Sequence, residues 1–75
     1  MREKVEAFLI EYGECFRRMR YDAKLSEKQV ARMLGISQAI ISHIETGKML
    51  PPIELEDDLY RIYDVIGKYK EVTGK

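Results

Sequence analysis

Apolar residues recur at helical spacing along most of the chain, and no segment shows the strict alternation of a half-buried strand. Val5, Phe8, Leu9, Tyr12, Cys15, Phe16 and Met19 form one stripe ahead of Asp22. That stripe predicts a helix over about 2–21. Only Gly13 interrupts it, and a mid-helix glycine costs about 1 kcal/mol relative to alanine without forcing a break, so one helix or two joined near Gly13 both fit. A second long stripe, Leu55, Leu59, Ile62, Tyr63, Ile66 and Tyr69, predicts a helix over about 54–72 after the break at Pro51-Pro52. Glu54, Glu56, Asp57 and Asp58 suit the positive end of its macrodipole, and Lys68 and Lys70 the other end.

Between these stripes, residues 25–47 hold two short amphipathic patterns joined by a corner. Ser26 and Gln29 have the spacing of a capping box, and Val30, Ala31 and Leu34 form a narrow apolar stripe behind it. Gly35 supplies the positive φ that ends a helix, Ile36 plugs the core, and Ser37 caps the next helix. At 100° per residue that next helix, about 38–46, sets Ile41, Ile44 and Glu45 on one side and Ala39, Ser42, His43 and Thr46 on the other, with Ile40 on the flank. The expected fold is all-α: a small single-domain bundle of four to five helices, with a helix-turn-helix at about 25–47 between long terminal helices.

Composition narrows this further. Seventy-five residues allow one small core, and a lone cysteine, Cys15, forms no internal disulfide. Among apolar neighbours Cys15 is expected to be a small buried hydrophobe. No metal or cofactor site assembles from the pattern, which leaves oligomerisation as the support for a small domain. Arg2, Glu3, Lys4, Glu6 and Glu11 interrupt the start, so neither a signal peptide nor a membrane span is expected. A cytoplasmic location follows. The formal charge is zero, but residues 13–50 carry seven basic residues against four acidic ones, while both flanks are net acidic. The positive excess coincides with the two-helix motif, as a DNA-contacting face requires.

These residues resemble the phage repressor and Cro-like (XRE) family of helix-turn-helix DNA-binding domains. Arg20, Leu25-Ser26, Val30-Ala31, Leu34-Gly35-Ile36-Ser37, Ile41-Ser42 and Glu45-Thr46-Gly47 fall at the family's spacings over about residues 13–51. The resemblance implies that Arg20 and Glu45 form a partly buried structural ion pair. It also implies that Gln38, Ala39 and His43 face bases, while Ser26, Lys28, Ser37, Ser42, Thr46 and Lys48 contact the backbone or flanking bases. The chemistry suits those roles: glutamine pairs bidentately with adenine, alanine touches a thymine methyl, and histidine donates to or accepts from a base edge. Glu27 departs from the family pattern, which often has glutamine there, and its carboxylate repels phosphate unless Lys24 or Lys28 pairs with it. Leu59 to Gly67 resembles the closing helix after a longer link, and about twelve residues ahead of Gly13 are extra. These additions either pack on each other or build a dimer interface.

The function expected is a repressor-like transcriptional regulator that binds double-stranded DNA sequence-specifically as a homodimer, with no small-molecule substrate evident. The alternative is a helix-turn-helix fold used as a protein-interaction adaptor, antitoxin-like or coactivator-like. Catalysis fits poorly, because neither His43 with Cys15 nor the acidic cluster at 56–58 forms an acid-base or nucleophilic arrangement. The tyrosines at 60, 63 and 69 read as core or interface residues rather than a platform for stacking single strands.

Overall fold

The computed structural model describes residues 2–73, and side chains over 3–68. Four helices follow one another, with no strand among the described residues: α1 (Arg2–Asp22), α2 (Glu27–Leu34), α3 (Gln38–Glu45) and α4 (Ile53–Thr73). The fold is all-α.

α1 runs unbroken through Gly13, and the reason lies in packing. A Cβ on Gly13 would stand 2.3 Å from the Ile44 carbonyl oxygen and 2.7 Å from that of Glu45, so α1 crosses the last turn of α3 with backbone against backbone. On the same side, a Cβ on Gly47 would fall 2.8 Å from the Ile10 Cα. Gly13 therefore marks a close approach between helices, not a bend.

Local chemistry sets the ends of α2. Ser26 Oγ accepts from the Gln29 N–H at 3.0 Å, and Gln29 Oε1 accepts from the Ser26 N–H at 2.8 Å, a complete capping box. Gly35, at φ +69°, ends the helix, and the Ile36 N–H reaches back to the Ala31 carbonyl at 3.0 Å. Gly47 ends α3 in the same way, with the Lys48 N–H on the His43 carbonyl at 2.8 Å.

The core collects one face from each helix: Phe16 and Ala23 from α1 and its end, Val30 and Ala31 from α2, Ile41 and Ile44 from α3, Leu59 and Tyr63 from α4. Tyr12 donates to the Glu56 carboxylate, and the Phe16 ring lies 5.2 Å from that of Tyr60. Farther along, Met19 and Asp22 share a groove with Tyr63 and Gly67, so α1 and α4 run side by side in the same general direction.

One expectation needs correction. Cys15 is exposed. It lies nearly a quarter of a turn off the line through Tyr12, Phe16 and Ala23, on the rim of the buried face and not within it. Val5 and Phe8 lie on or near that line but remain 58% and 56% exposed. α4 begins at Ile53, one turn before the Glu56 that Tyr12 bonds, so this face of α1 runs on past the start of α4. Tyr60 also stays partly open, at 41%. The side chains of Tyr69 and Lys70, expected on the α4 stripe and at its end, lie outside the described residues.

Candidate nucleic-acid interface

α3 owes its start to Ser37, whose Oγ accepts from the Ala39 N–H at 3.1 Å. From there the helix divides cleanly. Ile41, Ile44 and Glu45 are buried; Gln38, Ala39, His43 and Thr46 are exposed; Ile40 and Ser42 are half-buried between the two faces. Ser26, Lys28, Ser37 and Lys48 are exposed as well. Gln38, Ala39 and His43 thus share one open surface on a helix whose other side is core.

An acidic residue belongs to that helix, and its surroundings explain how it is tolerated. Glu45 is almost fully buried and receives two hydrogen bonds from one guanidinium: Arg20 Nε donates to Oε2 at 2.7 Å and Nη2 donates to Oε1 at 2.9 Å. Arg20 Nη1 donates to the Leu25 carbonyl at 3.0 Å, so one side chain ties α1, α3 and the entry to α2 together. Arg17 adds a second cation, its Nε 3.6 Å from Glu45 Oε1. Hydrogen bonding to Glu45 holds Arg20 more firmly protonated than an ordinary arginine, against the opposing effect of burial. The carboxylate is neutralised behind the exposed face and presents no free charge to an approaching polyanion.

Glu27 is half-buried, and its charge helps to keep Arg20 protonated. Tyr63 also feels it. The carboxylate is therefore electrostatically engaged with the protein interior.

The hydroxyls differ in what they have left to offer. Ser26 and Ser37 use their oxygens as acceptors from backbone N–H groups and keep an O–H for a phosphate oxygen. Thr46 Oγ1 instead donates to the Ser42 carbonyl at 2.8 Å, and must release that bond before it can donate elsewhere.

Two positioning features escape a motif reading. Gly13 and Gly47 let α1 lie directly on the carboxyl end of α3. Tyr63 lies with Phe16, Ile41, Ile44 and Leu59 around Glu45, its hydroxyl buried without a hydrogen-bond partner. Burial pushes that phenol's pKa well above its ordinary value, with the nearby Glu45 charge adding to the rise. The glycine in the first stripe was the only sign of the first feature, and it carried no information on what it faced.

A family model described as a helix-turn-helix domain matches residues 11–68. No curated protein and no solved structure matches the chain.

Proposed function

The chain belongs to the helix-turn-helix domain family, and from that premise we propose that it is a sequence-specific binder of double-stranded DNA that regulates transcription in the manner of a repressor. The observation that carries this reading is the division of α3: a fully anchored inner face, and an outer face of small and polar residues without a buried role. B-DNA's major groove, about 12 Å wide, admits one such helix, and small side chains let its backbone come close.

In this reading Gln38, Ala39 and His43 meet base edges. Ser26, Lys28, Ser37, Ser42 and Lys48 hold phosphates or flanking bases, and Thr46 joins them once its bond to the Ser42 carbonyl is exchanged. Arg20 and Glu45 set the angle at which α3 leaves the core. The protein acts in the cytoplasm as a homodimer on a two-fold operator, with half-sites about one turn, roughly 34 Å, apart. It is a binder and not an enzyme.

Fluorescence anisotropy on a duplex obtained by binding-site selection tests this. Gln38→Ala and His43→Ala alter exposed side chains, so the fold persists, and each is expected to weaken binding by about 5- to 100-fold, or about 1 to 3 kcal/mol. Unchanged affinity in both variants contradicts the assignment of α3. If both leave the biological activity intact too, the adaptor reading gains.

A further inference from the structure

We propose that the part of α1 ahead of Tyr12 is a self-association surface, on which a second copy of this chain lays the same segment antiparallel about a two-fold axis. The proposal rests on the dimeric reading above and assigns it a face.

The apolar stripe of α1 is continuous, but its cover is not. From Tyr12 onward it packs on α4, whereas Val5 and Phe8 continue it with 58% and 56% of their surface open. Phe8 stacks on Tyr12 at 5.6 Å, so the exposed segment is a direct extension of the packed one. The family match starts at residue 11, so Val5 and Phe8 lie ahead of the matched domain. Ile53, 76% exposed, opens α4 at the same end of the molecule.

Area and charge identify the occupant. Val5, Phe8 and Ile53 leave on the order of 300 Å² open at this end, more than half the apolar share of the roughly 800 Å² that each partner of a stable complex buries. Val5, Phe8 and Tyr12 follow one another at steps of three and four, the spacing of a helix-pairing seam. Lys4 and Glu11 lie on one flank of that seam, two turns apart and both exposed. In an antiparallel pair, Val5 meets the partner's Phe8, and Lys4 meets the partner's Glu11, each contact occurring twice by symmetry. A parallel pair would carry this flank of the two helices to opposite sides of the seam, so Lys4 and the partner's Glu11 can meet only in the antiparallel arrangement.

Sedimentation velocity without DNA tests the interface independently of DNA recognition. The full chain is expected to sediment as a species of twice 8.8 kDa at about 0.1 mM. Phe8→Glu should yield a monomer with unchanged helical circular dichroism. Should that variant unfold, the flank still decides the matter. Lys4→Glu and Glu11→Lys should each raise the dimer dissociation constant by about 10-fold, and the double exchange should restore it. A monomeric wild type, or a dimer indifferent to Phe8→Glu and to both exchanges, overturns the proposal. Absence of DNA binding by a dimer that obeys the charge exchange would overturn the functional reading and leave this interface standing.

Discussion

At the scale of single residues, burial and partnership decide what each polar group does. Glu45 is tolerated in the core because Arg20 gives it two hydrogen bonds at once. Removing one partner strands the other, so Arg20→Ala is expected to cost about 3 to 5 kcal/mol in urea denaturation. Arg20→Met combined with Glu45→Leu should recover much of that loss, because it removes both charges; a double variant no better than the single one would show that the pair itself stabilises the fold. Tyr63 presents the opposite case. Its hydroxyl is buried without a partner, so Tyr63→Phe should leave stability unchanged or raise it by about 1 kcal/mol. A clear loss would mean that the hydroxyl has a partner in solution.

At the scale of elements, chain-local chemistry and inter-helix geometry divide the work. The capping box at Ser26, the left-handed Gly35, and the inward set of Ile41, Ile44 and Glu45 were all legible in the sequence, because each depends on neighbours within one or two turns. What surrounds Gly13, Cys15 and Phe8 was not. Those environments depend on where a distant helix begins and which side it covers, and α4 starting at Ile53 leaves Phe8 bare while α3 presses its backbone onto Gly13. Gly13→Ala puts a methyl group into the carbonyls of Ile44 and Glu45. Although alanine is the better helix former, this variant should lose about 1 to 3 kcal/mol in thermal or denaturant unfolding. A gain of stability would show that α1 and α3 sit farther apart than described. The DNA-facing roles on α3 are a different matter, since exposure of Gln38, Ala39 and His43 places them where a groove can be read but does not itself read one.

At the scale of the whole molecule, a small core and two shielded phenols set the response to mutation and pH. Leu59 is 1% exposed at the centre of the core; Leu59→Ala should cost about 2 to 5 kcal/mol, enough to unfold much of a chain this size at 37 °C. The Tyr12 and Tyr63 phenols are both held protonated beyond the ordinary tyrosine range, by burial first and, for Tyr12, also by its hydrogen bond to Glu56. In the unfolded chain they ionise near pH 10, while the fold holds them protonated, so stability is unaffected by these groups below about pH 10 and falls as pH rises from there toward their folded values. Absorbance at alkaline pH should show the Tyr12 and Tyr63 phenols ionising late, together with loss of helix. Ionisation of Tyr12 and Tyr63 near pH 10 with the helices intact would contradict their shielding.

The central claim is that the outer face of α3 reads DNA, and selection from a random duplex library by the full chain at low salt tests it most directly. Recovery of a two-fold site with half-sites about one helical turn apart, bound more weakly as salt rises, is the predicted result. A library that shows no enriched sequence and no duplex bound even at low salt would contradict it.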